Sequence, residues 1–135
     1  KKLIDNLQKF LLELGKGFSF VARQFKITVD NEHMFVDIVF YHRILRCFVL
    51  IDLKTKKVKH QDIGQMQMYV NYYDRKVKLK EENPTLGIIL CKEENKTVIE
   101  FTLPENNNSI FAKESKQCCQ VRNRLKNKLK IMLKL

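Results

Sequence analysis

Residues 46–54, RCFVLIDLK, constrain this chain more than any other stretch. Side chains alternate between the two faces of a strand, so Phe48 and Leu50 share one face with Arg46, Asp52 and Lys54, while Cys47, Val49, Ile51 and Leu53 share the other. Both faces are apolar through the middle of the run. A strand of that kind must be covered on both sides, so it belongs at the buried centre of a sheet. An acid and a base, Asp52 and Lys54, then leave its far end on the same face.

The flanking sequence supplies the layers. Leu3, Leu7, Phe10, Leu11 and Leu14 recur at helical spacing over residues 3–15, and Gly15 and Gly17 end the pattern. The runs FSFVARQFKITV (18–29) and HMFVDIVFYH (33–42), joined by Asp30-Asn31-Glu32, predict a hairpin. Residues 60–76 place Ile63, Met66, Val70 and Tyr73 at helical spacing, with Asp62 early and Arg75 and Lys76 late, as suits the helix dipole. After the turn at residues 81–84, TLGIILC and TVIEFTL predict two more strands. The expected order is α-β-β-β-α-β-β, an α/β (α+β) fold with a central mixed β-sheet flanked by helices.

A chain of 135 residues suits one domain with its own core. No apolar run approaches the roughly 18 residues of a membrane span, so a soluble chain with no membrane partner is expected. Cys47, Cys91, Cys118 and Cys119 lack zinc-ligand spacing and read as buried or idle thiols of a reducing, cytoplasmic compartment. Residue 1 is Lys, with no export signal after it, so the start reads as trimmed. The net charge of +11 suggests a polyanionic partner, yet residues 113–135 alone hold 8 of the 26 basic and 1 of the 15 acidic side chains. The other 112 residues are only mildly basic.

The chemistry rests on three side chains. Asp37 lies in an apolar run, and hairpin-like pairing can bring it beside Asp52 across the sheet. Two carboxylates on an apolar surface repel each other and lack water, so they call for a cation. Carboxylate and carbonyl oxygens suit Mg²⁺ or Mn²⁺, and Lys54 is placed to orient a nucleophile or stabilise charge on a phosphate.

Asp37 followed by Asp52-Leu53-Lys54 at the end of an apolar strand resembles the PD-(D/E)xK nuclease motif, and Gln65 and Tyr69 repeat the Q-x-x-x-Y spacing found after it in RecB-like nucleases. More narrowly, VDIVFYHRILRCFVLIDLK, HQDIGQMQMYVNYYD and ENNNSIFA are similar to the C-terminal nuclease domain of the YhcG family. The resemblance implies a restriction-endonuclease-like core and a metal-dependent nuclease acting on nucleic acid, DNA by expectation, in repair, restriction or defence. It implies Asp37, Asp52, Lys54, Gln65 and Glu13 as the catalytic set, with metal held by Asp37, Asp52 and the Leu53 carbonyl. Lys56, Lys57 and Tyr69 are candidate nucleic-acid contacts. It also implies a helical domain upstream in the parent protein and, by analogy with nucleases that cut two strands, a homodimer.

Two departures stand out. Val36 replaces the proline of the motif's name, which removes no chemical group. After Ala112 the family-like pattern stops, so residues 1–112 are expected to form the nuclease domain. Residues 113–135 are expected to be a basic tail, either an amphipathic helix carrying Val121, Leu125, Leu129 and Met132 or a stretch foreign to the native protein. Against the nuclease reading stands a nucleic-acid-binding module with the fold and no turnover. His33, His42 and His60 read as surface or substrate-contacting groups, since a site of metal and lysine does not need them.

Overall fold

In the computed structural model, which describes residues 17–93 and 95–114, β1 (Phe18–Val29) and β2 (Glu32–His42) form an antiparallel hairpin. Asp30 and Asn31 close it with φ of 51° and 63°. This is the type I′ pattern, in which both central residues are left-handed and the turn matches the twist of the strands, and Asp and Asn tolerate it. β3 (Cys47–Leu53) pairs antiparallel with β2, then parallel with β4 (Leu86–Cys91), which pairs parallel with β5 (Ile110–Glu114). The sheet is mixed, in the order β1-β2-β3-β4-β5, with β3 at its centre.

Helix α1 (His60–Tyr72) and the π-helical turn that follows it (Tyr73–Val77) make the crossover from β3 to β4. The predicted helix over 60–76 is therefore present, with its last turn widened. Ile63, Met66, Tyr69, Val70 and Tyr73 pack on Val39, Leu50 and Ile89. Gly87 lets the layers approach: a Cβ there would stand 2.7 Å from the Met66 sulfur. The opposite face of the sheet buries Ile38, Phe40, Cys47, Val49, Ile51 and Ile88. The central run is thus buried on both sides, as its sequence requires, with Cys47 and Cys91 both in the core.

The expected order fails at one place. TVIEFTL does not form a strand; residues Lys96–Thr102 are helix α2, whose N-cap Asn95 accepts a hydrogen bond from the Val98 amide. Val98, Ile99 and Leu103 turn one side toward the core, a helical spacing that local β propensity masks, while Phe101 is 81% exposed. The place beside β4 is taken by β5 instead. Asn107 starts it: its Oδ1 accepts from the Ser109 and Ile110 amides and its Nδ2 donates to the Ile110 carbonyl. Among the described residues the order is β-β-β-α-β-α-β. The predicted helix over 3–15 and the predicted basic helix near the end lie outside the described residues.

His42 also departs from expectation. Its ring is 1% exposed, edge-on to Phe18 at 4.5 Å, and its Nδ1 accepts from the Leu45 amide. It braces the turn into β3 and is no surface group. The residue-by-residue alternation of β2 also breaks near its start. Val36 and Val39, three apart, belong to the same core cluster as the buried side of α1, and Val36 lies beyond the last β2–β3 pair, Ile38↔Ile51.

Candidate active site

The β2–β3 ladder ends at Ile38↔Ile51, so the next pair in register is Asp37 and Asp52. Here the backbone pairing gives way to a side chain. The Leu53 amide donates to Asp37 Oδ2 at 2.7 Å, so the carboxylate stands in for a strand carbonyl at the point where the two strands part. Asp37 is half-buried, and Asp52 is 5% exposed.

Asp52 is an acid in a place that resists its charge. Burial, and next the Asp37 carboxylate, push its pKa up to about 6 from 3.8, against the opposing pull of Lys54. The Lys54 ammonium lies 3.1 Å from Asp52 Oδ2 and 3.7 Å from Asp62 Oδ1. It also points to Gln65 Oε1 at 3.5 Å, the outer limit of a hydrogen bond. Burial alone would lower the Lys54 pKa, but the Asp52 and Asp62 charges outweigh it and carry it upward.

One face of α1 builds the rest. Asp62, Gln65 and Tyr69 follow each other at spacings of three and four, so they line one stripe of the helix. Asp62 is held in place by the Lys59 amide, which donates to its Oδ2 at 2.8 Å and ties off the helix start. Tyr69 is 1% exposed and its hydroxyl donates to the Phe35 carbonyl at 3.2 Å, two residues before Asp37. Burial, with the fields of Asp52 and Asp37, raises its pKa to about 12. A buried phenol already committed to the backbone braces β2 and has no free face for nucleic acid.

Of the residues singled out in sequence, Asp37, Asp52, Leu53, Lys54, Gln65 and Tyr69 are brought together. Glu13 lies outside the described residues. Lys56 and Lys57 are exposed on the loop beyond β3. Lys57 lines a cavity of about 370 Å³ with Lys59, His60, Gln61 and Asn95, at the start of α1. Two further residues join the site that the sequence alone does not assign to it. Asp62 reads in sequence only as a dipole partner, though its spacing to Gln65 and Tyr69 marks the stripe. Gln24 donates its Nε2 to Asp37 Oδ1 at 3.0 Å. Its signal is a change of phase in β1, where Phe18 and Phe20 give way to Phe25, Ile27 and Val29.

Among the described residues no three of the Asp, Glu, His and Cys side chains form a ligand cluster. Two do suffice for one ion type: Mg²⁺ is bound by one or two carboxylates plus water and substrate oxygens. The donor set fits, because Asp37 and Asp52 lie side by side, one of them buried, and the Lys54 ammonium is paired with Asp52 and Asp62.

A family model described as the YhcG PDDEXK nuclease domain matches residues 1–134. The chain belongs to that family. Asp37 and Asp52-Leu53-Lys54 resemble the motif in that YhcG-family description. The chain is 39% identical over 127 residues to the Escherichia coli (strain K12) protein named "Putative nuclease YhcG". That alignment covers 94% of this chain and 34% of the relative, so the chain spans about a third of the relative's length. Among solved structures, a repair endonuclease from Pyrococcus abyssi superposes with a TM-score of 0.56 at 16% identity, over 84% of this chain and 43% of its own. EndoMS in its dsDNA2 complex gives 0.53 at 15% identity, over 83% and 43%. At such identities the likeness is one of fold.

Proposed function

We propose that this domain hydrolyses phosphodiester bonds of DNA with the help of Mg²⁺ or Mn²⁺. The observation that carries the reading is the buried Asp52 carboxylate next to Asp37, with the Lys54 ammonium 3.1 Å away on the same strand end. Asp37, Asp52 and the Leu53 carbonyl would hold the metal, which when bound supplies activation of water and neutralises charge on the phosphate. Lys54, steadied by Gln65 and Asp62, faces the reacting phosphate and stabilises charge that grows there. Tyr69 fixes β2 so that Asp37 keeps its place. Lys56 and Lys57 meet the phosphate backbone beyond the cut site. Glu13 adds a further acid.

DNA is favoured over RNA as substrate because one neighbour of like fold is a repair endonuclease and the other was solved with dsDNA. The test is cleavage of single-stranded, duplex and branched DNA with Mg²⁺, with Mn²⁺ and with EDTA, by wild type and by Lys54→Ala. Metal-dependent cutting that falls at least ~100-fold in Lys54→Ala is expected. Cleavage undiminished in that variant refutes the site, and DNA binding with no turnover under any metal means a silent binding module.

A further inference from the structure

The donor to Asp37 Oδ1 owes its position to an irregularity in β1. Between Phe20 and Ala22 the β1–β2 register shifts by one residue. Before the shift Phe20 faces Phe40; beyond it Arg23 faces Ile38 and Phe25 faces Val36, so Gln24 stands opposite Asp37. Without the extra residue, the register of Phe18↔His42 and Phe20↔Phe40 would continue and Arg23 would stand there instead. The bulge therefore exchanges a guanidinium for a neutral amide at the cross-strand neighbour of Asp37.

The backbone at Gln24 is committed to this place. Its φ is +50°, a left-handed conformation inside a strand that side chains other than Gly, Asn and Asp rarely adopt. Gln24 is exposed, so no core packing explains the conformation. What it delivers is the 3.0 Å bond from Nε2 to Asp37 Oδ1, while the Leu53 amide holds Oδ2 at 2.7 Å. With one donor on each oxygen, the plane of the carboxylate is set. Each oxygen keeps a further acceptor direction, and neither donor is charged. The carboxylate is oriented, and neither of these two donors neutralises its charge.

We propose that Gln24 is a positioning residue that aims the Asp37 carboxylate for a divalent cation, and that the β1 bulge serves to keep this neighbour neutral. The inference rests on the reading of Asp37 as a metal ligand. It concerns how the ligand is prepared, in the way that outer partners orient and tune metal ligands generally.

The test is Mn²⁺ affinity of the intact chain by calorimetry, with thermal melting in EDTA as a control, for wild type, Gln24→Met, Gln24→Gly and Gln24→Arg. Met keeps the length and removes the donor; Gly removes the side chain and suits the left-handed backbone; Arg keeps donors and adds charge. All three are expected to bind Mn²⁺ about 10- to 100-fold more weakly than wild type. The melting temperature of Gln24→Gly should not fall. A merely structural Gln24 would lower the melting temperature of Gln24→Met and leave Mn²⁺ affinity within twofold of wild type, and that result overturns the proposal. Wild-type affinity in Gln24→Arg overturns the role given to the bulge. If wild type itself binds no Mn²⁺, the metal reading of the whole site falls and this inference with it, a result distinct from unchanged affinity in the variants.

Discussion

Asp52→Asn should end cleavage and, in the absence of metal, make the protein more stable. Burial and the Asp37 charge raise the Asp52 pKa from 3.8 to about 6, so ionising this group costs more in the folded chain than in the unfolded one. A tenfold change in an acid dissociation constant corresponds to about 1.4 kcal/mol, which puts the penalty at about 3 kcal/mol once the carboxylate is ionised in both states. Because the folded pKa is the higher of the two, the group lends its full stability below about pH 4, and that stability is lost as pH rises through about 6. Asparagine carries no charge, so the difference between variant and wild type should be near zero at about pH 4 and reach about 3 kcal/mol by about pH 7.5. The pull of Lys54 is already included in the raised value. The assay is urea unfolding in EDTA at half-unit steps of pH. Comparing the two proteins at each pH cancels His42, whose pKa burial lowers. That group acts the other way, losing stability as pH falls below about 6.5 in both proteins. Saturating Mn²⁺ should then stabilise wild type and leave Asp52→Asn nearly unmoved. An Asp52→Asn chain no more stable than wild type at about pH 7.5, or a difference that fails to grow between about pH 4 and 7.5, would refute the picture of a carboxylate held at the expense of the fold.

Tyr69→Phe removes the hydroxyl that donates to the Phe35 carbonyl and should cost about 1 kcal/mol in urea unfolding. Because the bond braces the strand carrying Asp37, cleavage at saturating DNA should fall while DNA affinity stays near that of wild type. Gly87→Ala puts a methyl group 2.7 Å from the Met66 sulfur and 2.9 Å from a Val70 methyl, so these side chains, or α1 that carries them, must give way. A loss of about 1–3 kcal/mol is expected on thermal or urea unfolding. An unchanged melting temperature would show that the layers are looser than their contacts imply.

Much of this site was legible because its signals are local and periodic. RCFVLIDLK announces a strand buried on both faces with an acid and a base leaving one side, and both properties follow from alternation alone. Asp37 could be paired with Asp52 because a hairpin register aligns them, and Gln65 and Tyr69 because they lie one helical turn apart. The segment TVIEFTL is governed by more than its local signals. Its β-branched residues favour a strand, yet Asn95 caps a helix and a better-placed strand, Ile110–Glu114, takes the edge of β4. Competition between segments for one sheet edge is not written in either segment.

What the sequence determined by itself, then, is the set of chemical groups and the faces they share: two carboxylates and an ammonium on an apolar strand end, with a polar stripe on the following helix. Alternation and helical period are properties of the backbone and hold in any context. Tertiary structure alone decided how those groups are held. The shifted β1 register brings Gln24, and not Arg23, to Asp37, and the parting of β2 from β3 frees the Leu53 amide for the same carboxylate. Only in the folded chain is Asp52 buried deeply enough to oppose its own ionisation. These effects arise between strands distant in sequence, where register and burial are set by the whole fold.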